Sequence, residues 1–161
     1  MDLNIVWFIL ITVLFAGFFL LEGFDYGVGF LSPFITEDAV ERRLLLHTIA
    51  PVWDGNEVWM ITAGGAMFAA FPHVYATLFS AFYLPLFLLL MALILRGAGI
   101  ELRNRSACEH WHSFWDWAVS FGSALPAFLW GVTVANLCVG LEINANMIYI
   151  GKMLDLLSGY T

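Results

Sequence analysis

The chain has 161 residues, of which 61% are hydrophobic and 12% are charged, and its formal net charge is −7. A soluble domain carries about 25% charged residues, so this composition indicates an integral membrane protein. The six Lys and Arg residues form no basic stripe, which argues against nucleic acid as a partner.

The first predicted membrane span covers residues 5–31. Its first seventeen residues are uncharged, and Glu22 and Asp25 then follow three positions apart in LEGFDYGVGF. Gly23 and Gly27 have the spacing of small residues at which transmembrane helices pack closely. The N-terminal residues MDLN lack the positive region of a cleavable signal peptide, so we expect the span to persist in the mature protein.

The second predicted span, residues 52–71, lies within PVWDGNEVWMITAGGAMFAAFP. Asp54 and Glu57 stand three positions apart, which places both carboxylates on one face of a helix. Gly64 and Gly65 are expected to let a neighbouring helix approach. A charged group at this depth costs at least ~2.5–3.5 kcal/mol, so intramembrane acids usually face a partner, a cavity or an ion path.

Two further spans are predicted at residues 76–95, with a kink at Pro85, and at residues 114–139. Residues 96–113 between them are expected to form a polar loop, and residues 140–161 are too short and too interrupted to cross. The predicted fold class is therefore an all-α integral membrane protein, a single up-down bundle of four transmembrane helices.

The connections between the spans predict the orientation of the bundle. In the first connection, Thr36 is expected to N-cap a short amphipathic helix at the membrane surface. The positive-inside rule makes the face with more arginine cytoplasmic and puts both ends of this chain outside. That face carries Arg42, Arg43, Arg96, Arg103 and Arg105, and the opposite face carries only Lys152. Cys108 and Cys138 are then expected at opposite faces, where they cannot pair.

Four acids form the candidate site. Glu22 lies roughly 13 Å and Glu57 roughly 9 Å from the cytoplasmic ends of their spans, with Asp25 and Asp54 shallower. Since no base is predicted inside the spans, the four acids cannot all be ionised cheaply, and some are expected to be protonated. The set is a candidate proton relay; protonated acids that lock the bundle, or a cation site, are the alternatives.

The histidines give no haem ligand, because none lies in the middle of a predicted span. The four are His47, His73, His110 and His112. His110 and His112 are interpreted as a solvated pair in a loop, and we expect no cofactor or metal ion to be bound by this chain.

Five stretches of the sequence indicate a known family: LEGFDYGVG, ERR, PVWDGNEVWMITAGGAMFAAFP, YATLFSAFYLPL and LRG. Together they resemble subunit II of the cytochrome bd-type quinol oxidases of bacteria. The resemblance runs without a gap from about residue 5 to residue 135, and its WDGN stretch is highly specific. The form GNEVWMITAGGAMFAAFP is more similar to the bd branch than to the cyanide-insensitive branch.

The resemblance implies a complex of the bacterial cytoplasmic membrane that oxidises quinol and reduces dioxygen to water. It implies two b-type haems and one d-type haem in a partner, subunit I, and small single-helix subunits as further partners. It also implies that subunit II supports the haem-bearing subunit and contributes acids to a proton path from the cytoplasm. The family's aspartate on that path, in the WDGN motif, corresponds to Asp54, and the acids of its first helix correspond to Glu22 and Asp25. Glu57 stands where some relatives carry an amide.

Members of the family are roughly twice this length, with two pseudo-symmetric four-helix bundles and usually a ninth helix. We therefore expect this chain to represent the first bundle, as a fragment, a truncated reading frame or half of a split subunit.

Two other functions fit the same residues. One is half of a proton-coupled secondary transporter, and the other is a purely structural membrane subunit.

Overall fold

A computed structural model gives the structure of residues 2–151 and of Leu156. Within these residues the regular structure is helical, apart from one isolated bridge between Ile143 and Tyr149. The α-helices are α1 (Leu3–Ile35), α2 (Ala39–Ile49), α3 (Trp53–Ala70), α4 (Pro72–Ala81), α5 (Tyr83–Leu102) and α6 (Glu109–Val139), with a short 3₁₀ turn at Arg103–Arg105 between the last two.

Among the described residues, three helical segments are long and apolar enough to cross a membrane: Leu3–Ile35, Tyr83–Arg105 and Glu109–Val139. α1 and α6 are longer than predicted, because α1 continues to Ile35 and α6 begins at Glu109, and α5 is shifted toward the C-terminus, since it begins at Tyr83 and continues to Leu102. α3, the second predicted span, is not among the three. Its 18 residues include two acids and several Gly and Ala in place of larger aliphatic residues, and they extend about 27 Å, slightly less than the hydrocarbon core.

α6 packs against α1 and α5, and α3 packs against α1 at the edge of the bundle. α1 lies close to α6 at Gly29, where an added Cβ would lie 3.0 Å from the Cβ of Ser123. At Gly122 of α6, an added Cβ would lie 2.8 Å from the carbonyl oxygen of Ala92 in α5. Glycine is needed at both positions, because any side chain would hold the helices apart.

Four other glycines, for which close helix packing was predicted, pack against no helix within the described residues. Added Cβ atoms at these positions would meet nothing within 4 Å in the described structure; the four are Gly23, Gly27, Gly64 and Gly65. Helix spacing alone identified small residues but did not determine which side of each helix faces a neighbour.

The region between α3 and α5 also differs from the prediction. The predicted turn at residues 72–75 is helical, because Pro72 occupies the first turn of α4, where its missing N–H is tolerated. The helix is interrupted at Phe82, between α4 and α5. Pro85 therefore lies in the first turn of α5 and not in the middle of a kinked span. The single predicted span at 76–95 is therefore two helices.

The connection from α1 to α3 contains the predicted short helix, α2, but with a different cap. Asp38, not Thr36, caps it, and the Asp38 carboxylate accepts hydrogen bonds from the backbone N–H groups of Val40 and Glu41 at 2.8 Å. α2 and the turn at Arg103–Arg105 lie at the same end of the bundle, since one joins the end of α1 to the start of α3 and the other joins α5 to α6. Lys152, the predicted base of the opposite face, lies outside the described residues.

Candidate functional site: an arginine between two buried acids

The site is centred on Arg96. The sequence places Arg96 at the start of a polar loop, but the residue lies inside α5 and is completely buried. Its guanidinium forms an ion pair with Glu22 of α1 and a second ion pair, 2.9 Å long, with Glu57 of α3. The expectation that no base lies among the acids is therefore wrong.

Aromatic rings enclose the guanidinium of Arg96. The ring of Tyr26, one helical turn after Glu22, has its centroid 4.8 Å from the Arg96 Cζ, and the ring of Trp53 has its centroid 5.9 Å away. Both distances suit cation–π attraction. Trp53 reaches this position because residue 97 is glycine, where an added Cβ would lie 2.9 Å from the indole ring.

Asp25 is also buried, but it has a different partner. Its Oδ2 accepts a hydrogen bond of 2.7 Å from the amide Nδ2 of Asn56. Asn56 precedes Glu57 in α3, so one side chain of α3 binds an acid of α1 directly, and the next is linked to Glu22 of α1 through Arg96. The pairing of α1 with α3 is thus polar at this level of the bundle.

Asp54 lies at the margin of the site. It is in the first turn of α3 and exposed, and it makes no hydrogen bond or ion pair with the described residues. Asp54 and Asp25 both lie within electrostatic range of Glu57. The four predicted acids are therefore close together, but they differ in access to solvent.

The hydrogen bonding of the buried cluster is incomplete. Within the described residues, Oε2 of Glu22 and the Nε and Nη1 atoms of Arg96 have no hydrogen-bond partner. Buried polar groups are nearly always satisfied, and an ion pair away from water is stable only when its remaining donors and acceptors are satisfied as well. These atoms are therefore positions where water or a protonated group can bind.

A third buried acid, Asp116 of α6, holds two arginines at the end of the bundle that carries α2. Arg42 donates from Nη1 to Asp116 Oδ2 at 2.9 Å and from Nε to Thr36 Oγ1 at 2.9 Å. Arg103 donates from Nε to Asp116 Oδ1 at 2.5 Å and from Nη2 to Oδ2 at 3.4 Å. One carboxylate thus joins the end of α1, α2, the 3₁₀ turn and α6.

Sequence reasoning missed two residues of the site, Arg96 and Asn56. A signal for Arg96 was present, because the four residues that follow it, GAGI, are small or apolar, as expected if the helix continues. Asn56 gave no such signal, since its role depends on Asp25 of another helix. Among the described residues, no group of three or more His, Cys, Asp or Glu side chains is arranged to hold a metal ion.

The three long apolar helices and the buried acids around Arg96 define a polytopic membrane protein with an internal ionisable cluster. The chain belongs to the cytochrome bd terminal oxidase subunit II family, whose model matches residues 3–161.

Three bacterial relatives illustrate the similarity. The chain is 46% identical to the cytochrome bd ubiquinol oxidase subunit 2 of Bacillus subtilis (strain 168) over 160 residues, which is 99% of this chain and 47% of that protein. It is 45% identical to a probable cytochrome oxidase subunit 2 of Haemophilus influenzae, in an alignment that covers 98% of this chain and 43% of that protein. It is 41% identical to the cytochrome bd-I ubiquinol oxidase subunit 2 of Escherichia coli (strain K12), and this alignment also covers 98% of this chain and 43% of that protein. The chain thus spans a little under half the length of these relatives.

Proposed function

We propose that this chain forms part of subunit II of a cytochrome bd-type terminal oxidase. In that complex it supports a haem-bearing subunit I, which oxidises quinol and reduces dioxygen to water. The observation that carries the proposal is the family match over residues 3–161. The relatives from B. subtilis and E. coli are named as ubiquinol oxidase subunits, which supports the assignment of a quinol as substrate.

The described residues do not fit a haem. His47, His73 and His110 are exposed, and Nε2 of His112 lies 2.7 Å from the carbonyl oxygen of Ser106 in the connection before α6. None of them offers a buried axial ligand. We therefore assign the two b-type haems and the d-type haem to subunit I, and no redox step to this chain.

The contribution of this chain is proton uptake from the cytoplasm. Asp54 is the proposed entry, because it is the exposed acid of the four. Asp25, held by Asn56, and the pair Glu22 and Glu57 lie deeper. With Arg96 charged, the cluster of Arg96, Glu22 and Glu57 is neutral when one carboxyl holds a proton. Release of that proton leaves a net charge of −1 on the cluster, with both carboxylates held by the one guanidinium. Such sharing makes proton transfer cheaper than at an isolated buried acid.

A second function for Glu22 and Glu57 is favoured by the same ion pairs. Two carboxylates held by one buried arginine join α1, α3 and α5, and this arrangement is also what a purely structural cluster requires. The two functions differ at Asp54, which makes no bond with the described residues and so contributes little to packing.

The membrane arrangement belongs to the same proposal. We place α3 across the bilayer as the fourth helix of an up-down bundle, despite its lower hydropathy, with the acids facing α1 and α5. This bundle corresponds to the first half of a pseudo-symmetric subunit of eight or nine helices. The end of the bundle with α2 and the Arg103–Arg105 turn faces the cytoplasm, and the membrane is the bacterial cytoplasmic membrane.

The variant Asp54→Asn tests the relay in the complete oxidase complex. Because Asp54 is exposed and the amide matches it in size, assembly and haem content should not change. Oxygen consumption per d-type haem with saturating quinol should fall about 10-fold or more, the scale of a lost acid–base step.

The matched control is Glu109→Gln, which neutralises an exposed acid at the start of α6 and should retain full turnover. Wild-type turnover in Asp54→Asn would rule out Asp54 as the entry. Reduced haem content with unchanged turnover per remaining haem would favour the structural function.

A further inference from the structure

A small basic pocket lies between α2 and the end of α5, outside the acid cluster. Its volume is about 40 Å³, which is enough for one small polar group. Four polar residues line it: Arg43, His47, Arg103 and Asn104. Its apolar lining consists of Leu46, Ala50 and Ile100. No carboxylate lines the pocket.

The donors of this pocket suit a phosphate oxygen. Arg103 is almost fully buried and uses Nε and Nη2 on Asp116, so its orientation is fixed. Its Nη1 has only a long contact of 3.4 Å with the Asn104 side-chain oxygen, which leaves donor capacity toward the pocket. Arg43 is exposed and forms no ion pair within the described residues. Arg43 thus brings an uncompensated charge to the pocket, and Arg103, although paired with Asp116, brings a free donor; guanidinium donors of this kind are typical of anion sites.

The position of α2 indicates where the anion comes from. α2 connects two helices of the membrane bundle, yet its Val40 and Leu44 side chains are 66% and 65% exposed. Exposed aliphatic residues on a helix that also carries arginines are typical of a helix lying at the bilayer surface. The apolar part of the pocket lining favours a ligand that is only partly polar over a free inorganic ion.

We propose that this pocket binds the phosphate of an anionic phospholipid, with Arg43 and Arg103 as the charged ligands and His47 and Asn104 at its rim. Basic pockets between membrane helices are a known means of recognising acidic headgroups. The inference goes beyond the proposed oxidase function and does not depend on it, because the ligand is a component of the membrane and not a substrate.

Native mass spectrometry of the complete complex, extracted from vesicles of equal phosphatidylglycerol and phosphatidylcholine, tests the proposal. The wild type should retain phosphatidylglycerol in preference to phosphatidylcholine. Arg43→Gln should weaken phosphatidylglycerol retention about fivefold, the effect of one basic group near the membrane surface. The control Arg105→Gln removes an exposed arginine outside the pocket and should retain the lipid as the wild type does.

Three results would overturn the proposal. Equal retention of the two lipids by the wild type would show that there is no anionic site. Equal losses in Arg43→Gln and Arg105→Gln would show diffuse surface charge instead of a pocket. Displacement of phosphatidylglycerol by millimolar inorganic phosphate would identify a site for the free ion. Oxygen consumption is not measured, so failure here is distinct from failure of the proposed function.

Discussion

At the scale of single residues, Arg96 decides what the acids can do. A buried guanidinium is costly unless carboxylates lie against it, and Arg96 contacts two of them as well as the ring of Tyr26. The cluster has two acids for one base, so its charge depends on a single proton. Either a relay or a structural function for Glu22 and Glu57 needs Arg96 in place.

We predict that Arg96→Gln destabilises the complex strongly, by about 3–5 kcal/mol, because it leaves Glu22 and Glu57 without their counter-charge. Thermal unfolding of the purified complex, followed by the loss of its haem absorption, measures the change. Arg96→Gln combined with Glu22→Gln should recover much of the loss, since the fully buried acid is then neutral as well. Equal stability of Arg96→Gln and the wild type would contradict the ion pairs described.

At the scale of elements, Asp116 connects α2 with the 3₁₀ turn and with α6. α2 contributes only Leu46 and Ile49 to the buried core, so much of its attachment depends on the bonds of Arg42 to Asp116 and Thr36. A helix of eleven residues is marginal by itself. The polar contacts at this end therefore hold α2 against the bundle.

We predict that Asp116→Asn loosens α2, because Arg42 and the buried Arg103 lose their shared counter-charge. Backbone hydrogen exchange across Ala39–Ile49 should be about tenfold faster, which corresponds to about 1.4 kcal/mol of local stability. Glu101→Gln, at an exposed acid with no ion pair among the described residues, is the control and should leave exchange unchanged. Unaltered exchange in Asp116→Asn would mean that apolar contacts alone hold α2.

At the scale of the whole molecule, the distribution of arginine is uneven. Arg96 does not count toward either membrane face, because it is buried and paired inside the bundle. Four arginines remain at the end of the bundle that carries α2, namely Arg42, Arg43, Arg103 and Arg105. The charge asymmetry that predicts orientation is therefore smaller than the sequence indicated, but its direction is the same.

We predict that a reporter fused after Asn104 is cytoplasmic and that one fused at His73, in the first turn of α4, is external. Alkaline phosphatase and green fluorescent protein fusions at both positions measure the orientation in cells. Both reporters on one side would show that the segment between them, α4 with α5, does not cross the bilayer. The reverse pattern would place the acids, with Asp54 as their entry, at the external surface and remove the proposed path from the cytoplasm.

The sequence by itself determined the helical membrane class, the family and the four acids. These properties depend on local composition and motif: long apolar runs cannot fold as a soluble domain, and the spacing of Glu22 with Asp25 and of Asp54 with Glu57 places each pair on one helix face. The existence of a short helix between the first two spans could be predicted in the same way.

Only the tertiary structure decided which partners these residues have. Whether Arg96 ends a span or lies inside one depends on how far α5 continues, and its pairing with Glu22 and Glu57 depends on three helices meeting at one level. Helix rotation likewise decides which glycines face a neighbouring helix and which side chains lie beside Asp116. Spacing along one helix specifies which residues share a face, but the energy of a buried charge depends on what the other helices place beside it.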